Sequence, residues 1–167
     1  MQIKTRSAAQ TQRVAHCLAQ ILTTGIWVRL DGDLGAGKTT FTQGLGRALG
    51  IQRAIKSPTY TIIKEYPLEH GNLVHVDAYR LEEGGADTVD LAAYTDAQSI
   101  VLIEWAQFIE SELPDSYLQL QLTYGTQPDE RLLTVSVIGQ DERYQHLVEL
   151  WQRACMQDLM LEGRAEA

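Results

Sequence analysis

The chain has 167 residues, a formal net charge of −8, 44% hydrophobic residues and two cysteines. Its length fits one domain, and its composition is typical of a globular protein. It has no apolar run of about 18 residues that would span a membrane, and residues 1–12 lack the apolar centre of a secretory signal. Cys17 and Cys155 are too far apart in sequence to suggest a zinc site or a disulfide framework, so we expect reduced thiols in a cytoplasmic protein. The negative charge disfavours independent binding of nucleic acid.

The first half alternates helix, strand and helix. Ser7 and Gln10 form a capping pair that opens an amphipathic helix, for which Gly25 is the expected stop. An apolar strand over residues 26–30 leads into a glycine-rich stretch. A second amphipathic helix follows and ends at Gly50.

The second half predicts strands of two kinds. Residues 73–76 and 100–103 are short, apolar and rich in branched side chains, which favours buried strands of a parallel sheet. Residues 118–122 and 133–137 alternate apolar and polar side chains, which predicts an antiparallel hairpin. The remaining predictions are a strand within 61–66, an ambiguous loop or short helix over 82–98 and a closing amphipathic helix over 147–154.

This order predicts an α/β sandwich with helices on both faces of a mixed sheet. The sheet is expected to be parallel at its centre, with an antiparallel hairpin at one edge. We expect one domain over residues 1–150. Residues 151–167 would be the end of the closing helix and a tail, within or appended to that domain.

The most specific motif is GDLGAGKT over residues 32–39, which matches the phosphate-binding loop G-x-x-x-x-G-K-[ST]. Glycines let successive backbone amides converge on phosphate oxygens, and the following helix presents its positive end to the same anion. Lys38 is expected to reach the β- and γ-phosphates, and the Thr39 hydroxyl to bind Mg²⁺. The expected nucleotide-binding residues of this segment are Asp33, Leu34, Gly35, Ala36, Gly37, Lys38, Thr39 and Thr40.

Two carboxylates follow the apolar runs, Asp77 after residues 73–76 and Glu104 after residues 100–103. Nucleotide hydrolysis needs such an acid near the magnesium, so both are candidate catalytic residues and metal ligands. One would hold the metal, directly or through water, and the other would orient or activate the attacking water. The sequence does not divide these roles, and either acid alone is equally typical of a solvated strand end.

Three further residues are candidates for the site, and for each of them a purely structural role is the alternative. Trp105, next to Glu104, would line the nucleotide pocket or pack in the core. Arg80 would stabilise phosphate charge or form a surface ion pair. Thr59 would sense the γ-phosphate from a loop or serve a turn after Pro58.

Four motifs, in this order and spacing, resemble the TsaE (YjeE) family of bacterial ATPases in tRNA threonylcarbamoyladenosine biosynthesis. They are GDLGAGKTT over 32–40, SPTY over 57–60, HVDAYR over 75–80 and IEW over 103–105. The resemblance covers roughly residues 7–137. Two departures are Tyr60, where the family often has phenylalanine, and Ala106, where proline is common.

The resemblance implies a P-loop ATPase that binds ATP or ADP with Mg²⁺ and is weak alone. It would act with the proteins TsaB and TsaD and meet tRNA indirectly, through that complex. The residues that match family roles are Lys38 (phosphate), Thr39 (magnesium), Thr59 (the Ser-Pro-Thr loop), Asp77 and Glu104 (the acids at metal and γ-phosphate) and Trp105 (beside the nucleotide).

Two other functions remain open from the sequence. A small-molecule P-loop kinase would use the same loop, but such enzymes usually carry an arginine-bearing lid, and no arginine occurs between Trp105 and Arg131. A nucleotide-sensing module without hydrolysis is the third possibility. A GTPase of the Ras type is disfavoured because the chain has no N-K-x-D or T-K-x-D stretch to read guanine.

Overall fold

The computed structural model describes residues 1–58, 60–82 and 89–165, and of residues 159–165 only the backbone. Within them the chain forms seven strands and three α-helices. The strands are β1 (Gln2–Thr5), β2 (Trp27–Asp31), β3 (Ile63–Pro67), β4 (Asn72–Asp77), β5 (Ser99–Glu104), β6 (Tyr117–Tyr124) and β7 (Arg131–Ile138). The helices are α1 (Ala8–Ala19), α2 (Lys38–Ala48) and α3 (Glu142–Ala165).

The strands form one mixed sheet in the order β1-β7-β6-β2-β5-β4-β3. Strands β6, β2, β5 and β4 are parallel to their neighbours within this group. Strands β7 and β1 add antiparallel pairs on one side, and β3 adds one on the other. The predicted parallel centre and antiparallel hairpin are confirmed, and β3 makes the opposite edge antiparallel as well.

The two faces of the sheet are covered differently. The three α-helices share one core with the first face, through Phe41 of α2, Leu18 of α1 and Trp151 of α3. The second face is covered by single-turn 3₁₀ helices and loops after β4 and β5, whose buried residues include Leu81, Leu91 and Ile109. Helical elements therefore lie on both faces, but α-helices lie only on the first within the described chain.

Local signals predict the start of α1 and the end of α2 correctly, but α1 ends at Ala19, before the expected stop at Gly25, and α3 is longer at both ends than the predicted 147–154. The Ser7 hydroxyl accepts a hydrogen bond from the Gln10 amide, which caps α1. Gly50 follows α2 with a φ of +87°, a left-handed conformation that glycine adopts without strain. Helix α3 continues without a break past residue 150, and the Trp151 indole donates to the Val14 carbonyl of α1. No helix in the described part of the chain is long and apolar enough to cross a membrane.

Strand β1 was not predicted from the sequence. It has only four residues, three of them polar, so its own sequence carries little strand signal. Pairing with β7 forms it, with Ile3 opposite Leu133, and the Met1 ammonium donates to the Val135 carbonyl. Long-range pairing therefore determines this strand.

A single carboxylate organises the turn between β6 and β7. Glu130 accepts hydrogen bonds from the Thr126 hydroxyl at 2.7 Å and from the Thr126 and Gln127 amides, and it pairs with Lys4 of β1 at 2.8 Å. These donors, Lys4 foremost, lower the pKa of Glu130 to about 2. The ionised form of this residue therefore ties β1 to the hairpin.

We expect Glu130→Gln to destabilise the protein in a pH-dependent way. The pKa of Glu130 is lower in the folded chain than its ordinary value of 4.5, so its contribution is complete above about pH 4.5 and is lost as the pH falls toward about 2. Thermal unfolding midpoints measured from pH 7 to pH 2 should show a gap between wild type and variant that closes in this window. Glu149→Gln, at an exposed site on α3, is the control. A gap that does not change with pH would contradict the assignment.

Candidate active site

Three parallel strands end at the same edge of the sheet, and the candidate site lies there. Glu104 of β5 is opposite Asp77 of β4 and opposite Leu30 of β2. The glycine-rich loop follows β2 directly, so the strand register brings the loop and both acids together. They line an open cavity of about 370 Å³. The lining residues are Leu34, Gly35, Gly37, Lys38, Thr39, Thr40, Ser57, Asp77, Tyr79, Glu104 and Trp105.

The loop needs its glycines for both conformation and space. Gly35 has a φ of +80° and Gly37 a φ of +108°, which are strained for residues with a Cβ. A Cβ on Gly35 would lie 2.8 Å from the Tyr124 hydroxyl oxygen. The loop therefore packs closely against β6.

The β6–β7 hairpin holds the loop from its outer side. The Tyr124 hydroxyl donates to the Leu34 carbonyl at 2.9 Å, and Arg131 Nε donates to the Ala36 carbonyl at 3.0 Å. The Arg131 guanidinium also lies 4.6 Å from the Tyr124 ring centre. In a trans peptide the carbonyl and the next amide point in opposite directions. Anchoring these carbonyls to the hairpin therefore turns the amides of Gly35 and Gly37 away from it.

Lys38 is buried at the start of α2 and lines the cavity. Its ammonium donates to the Gly32 carbonyl at 2.6 Å and to the Asp33 carbonyl at 3.1 Å. It also lies 4.6 Å from the centre of the Trp105 ring. The charge is therefore held at the base of the loop by backbone dipoles and an aromatic face.

Trp105 lines the cavity at a strained position. Its φ of +59° is left-handed, which costs on the order of 1–3 kcal/mol for a residue with a Cβ. The ring packs against Tyr79, with centres 5.0 Å apart, and stacks on Phe108 at 6.3 Å. The ring is half-buried, and it both lines the cavity and packs against the core of the second face.

The two acids have different partners. Asp77 accepts from the Ser57 hydroxyl at 2.5 Å on Oδ2 and from the Tyr79 amide at 3.0 Å on Oδ1. Glu104 Oε1 lies 2.9 Å from His75 Nε2, and both side chains are buried. His75 Nδ1 has no hydrogen-bond partner among the described residues. Asp77 thus anchors the segment that contains Ser57, whereas Glu104 is positioned by a buried histidine.

Most of the candidate residues line the cavity, but three of those that the structure describes do not. The Asp33 side chain is exposed, and its carbonyl accepts a hydrogen bond from Lys38. Ala36 is buried behind the loop. Arg80 is exposed and lies over the Tyr60 ring at 4.2 Å instead of lining the cavity. Thr59 lies outside the described residues.

Five residues at or around the site were not among the candidates: Ser57, His75, Tyr79, Tyr124 and Arg131. Ser57, His75 and Tyr79 belong to motifs that the sequence does show, and period-two alternation puts His75 on the same face as Asp77. Tyr124 and Arg131 carry no local signal, because they meet the loop across about ninety residues of chain.

Three side chains that line the cavity carry oxygens able to hold a divalent cation. Thr39, Asp77 and Glu104 present oxygen donors, which Mg²⁺ prefers. No group of three or more His, Cys, Asp and Glu side chains able to hold a metal occurs in the described part of the chain.

The family model and the similar proteins identify the same family. The family model of the threonylcarbamoyl adenosine biosynthesis protein TsaE matches residues 5–133. The TsaE protein of Bacillus subtilis is 41% identical over 146 residues, covering 87% of this chain and 90% of its own. That of Streptomyces coelicolor is 42% identical over 129 residues, covering 74% of this chain and 87% of its own. A crystal structure described as Bacillus subtilis YdiB superimposes with a TM-score of 0.79 at 36% identity, over 92% of this chain and 94% of that one.

Trp105 offers a direct readout of ligand binding in the cavity. We expect its fluorescence to change when Mg-ADP is titrated, because its ring lines the cavity next to Lys38. Trp27 and Trp151 also emit, so the matched variant is Trp105→Phe, in which the change should disappear. A change that persists in Trp105→Phe would assign the signal to another tryptophan and contradict the placement of Trp105 beside the bound nucleotide.

Tyr124→Phe tests the support of the loop by the hairpin. Loss of one hydrogen bond, worth about 0.5–1.5 kcal/mol, should weaken Mg-ADP binding by a factor of roughly two to thirteen while the unfolding midpoint changes little. Isothermal titration with Tyr94→Phe, an exposed tyrosine outside the cavity lining, is the control. Equal affinities for the two variants would show that the Leu34 carbonyl needs no anchor.

Proposed function

This chain belongs to the TsaE family, and we propose that it is a Mg-ATP-dependent ATPase serving tRNA threonylcarbamoyladenosine biosynthesis in the cytoplasm together with TsaB and TsaD. The pathway is that named for its relatives. The observation that carries the proposal is one cavity that combines a phosphate-binding loop, its lysine and two strand-end acids.

Phosphate binding follows from the loop and the start of α2. The β- and γ-phosphates would be attracted by Lys38 and by the positive end of α2. The amides of Gly35 and Gly37, which point away from the hairpin, would donate to the same phosphates. Trp105, over which Lys38 already lies, would flank the same groups. This supports a nucleoside triphosphate as the substrate class.

Mg²⁺ fits the residues present. Thr39 is the expected ligand from the loop, with Asp77 or Glu104 acting directly or through water. When bound, the cation would neutralise charge on the β- and γ-phosphates.

We assign the attacking water to Glu104. Both oxygens of Asp77 already accept hydrogen bonds from Ser57 and Tyr79, which supports a role in holding that segment at the cavity. Glu104 accepts through Oε1 from His75, and its Oε2 has no hydrogen-bond partner among the described residues. That oxygen can accept from a water whose oxygen bonds the γ-phosphorus as the bond to the leaving ADP oxygen breaks.

We expect the isolated chain to be a weak ATPase, because its cavity lacks an arginine that would stabilise the charge of the transferred phosphate. No arginine lines the cavity in the described residues, and Arg80 lies over Tyr60 outside the lining. An arginine supplied by another protein typically raises the rate of such sites by about 10³–10⁵. This supports stimulation by partners over a small-molecule kinase, which usually carries its own arginine-bearing lid.

Phosphate release measured with and without TsaB and TsaD tests the proposal. We expect slow hydrolysis by the chain alone and faster hydrolysis with the partners. Glu104→Gln should lower turnover by at least about a hundredfold while Mg-ADP binding stays close to wild type.

Lys38→Ala is the complementary variant, in which nucleotide binding itself should be lost through the missing charge. Unchanged turnover in Glu104→Gln would favour a nucleotide-sensing module. Hydrolysis that does not respond to the partners would contradict the assignment to their pathway.

A further inference from the structure

A buried histidine lies behind the cavity wall and contacts one of the two acids. His75 of β4 pairs with Leu102 of β5, so Glu104 is its diagonal neighbour, two residues further along β5. Side chains two residues apart on a strand share a face, and Glu104 therefore lies on the same face as His75. His75 Nε2 is 2.9 Å from Glu104 Oε1, and both side chains are buried. The strand register thus determines this contact.

The partners of the imidazole ring assign its proton. An ionised carboxylate only accepts hydrogen bonds, so His75 Nε2 is the donor to Glu104 Oε1. His75 Nδ1 is also buried, and it has no hydrogen-bond partner among the described residues. A proton on Nδ1 would therefore find no acceptor in that part of the chain. Both observations favour the tautomer with its proton on Nε2.

Glu104 depends on this one donor, whereas Asp77 does not depend on a single partner. Within the described chain, His75 is the only residue that donates to the Glu104 side chain. Asp77 accepts from both the Ser57 hydroxyl and the Tyr79 amide. Removal of the His75 donor would leave the buried Glu104 carboxylate without a hydrogen bond from the described residues, which is costly for a charged group.

The contact also distinguishes the two oxygens of Glu104. Glu104 lines the cavity, whereas His75 is not among the lining residues. The bond from His75 therefore holds Oε1 at the cavity wall and leaves Oε2 to accept from a ligand in the cavity. A general base acts only within about 2.6–3.2 Å of the group that gives up the proton, so restricting the carboxylate matters for catalysis. Both residues lie on central strands, which hold side chains more precisely than loops do.

We propose that His75 is a positioning residue for ATP hydrolysis. Its Nε2–H holds Glu104 Oε1, so that Oε2 receives a proton from the attacking water. The water oxygen bonds to the γ-phosphorus at the same time, and the bond to the leaving ADP oxygen breaks. The inference rests on the proposed ATPase function and adds a residue that contacts neither the nucleotide nor the water. Because His75 acts through Glu104, its loss should lower turnover and leave nucleotide affinity unchanged.

Two amide variants that differ by one methylene group test the donor. The amide nitrogen of Gln is as many bonds from Cα as histidine Nε2, and that of Asn is as many as Nδ1, which does not contact Glu104. With TsaB and TsaD present, kcat for Mg-ATP should fall at least about tenfold in His75→Asn. In His75→Gln it should recover to within about threefold of wild type. KM for ATP and Mg-ADP binding, followed by Trp105 fluorescence, should change less than about twofold in either variant.

His146→Asn, at an exposed site on α3, is the matched control and should keep the wild-type kcat. In a Glu104→Gln background, His75→Asn should cause no further loss, because the histidine acts through the carboxylate. Equal losses in His75→Asn and His75→Gln, or a further loss in that background, would assign His75 a general packing role and overturn the proposal.

The same measurements separate this inference from the function on which it rests. An unchanged kcat in His75→Asn, with hydrolysis that still depends on Glu104, would overturn the role of His75 and leave the proposed ATPase intact. Wild-type hydrolysis no faster than that of Glu104→Gln would contradict the proposed ATPase and this inference together.

Discussion

The register of the three parallel strands β2, β5 and β4 is the constraint on which the rest of the site depends. It places Leu30, Glu104 and Asp77 at the same level, so the loop after β2 and both acids open into one cavity. A shift of one residue in β5 would turn Glu104 to the other face of the sheet and away from His75. The buried side chains of β4 and β5 therefore determine the chemistry as well as the stability of this edge.

The antiparallel half of the sheet supports the parallel half. Strand β1 pairs with β7, Lys4 of β1 holds Glu130, and Glu130 orders the turn that precedes Arg131. Arg131 and Tyr124 then hold the carbonyls of the phosphate-binding loop. A chain of contacts thus runs from the N-terminal strand to the backbone that would cradle phosphate, which gives the hairpin a positioning role.

Much of this fold was predictable because its signals are local. The glycine-rich motif, the apolar runs before Asp77 and Glu104 and the alternation in the hairpin each specify their element within a few residues. Strand β1 was missed because only its pairing with β7 reveals it. The support of the loop by Tyr124 and Arg131, and the position of Arg80 over Tyr60, depend on tertiary contacts that no short pattern encodes.

The positive charge at the cavity contrasts with the net charge of the whole protein. The protein is acidic overall, yet Lys38 and the positive end of α2 place positive charge at the cavity. The most direct test of the central claim is a crystal structure with Mg²⁺ and a non-hydrolysable ATP analogue. We expect its γ-phosphate between Lys38 and Glu104, with the metal at Thr39. An analogue bound outside this cavity, or one whose phosphates avoid the loop amides, would contradict the proposed ATPase site.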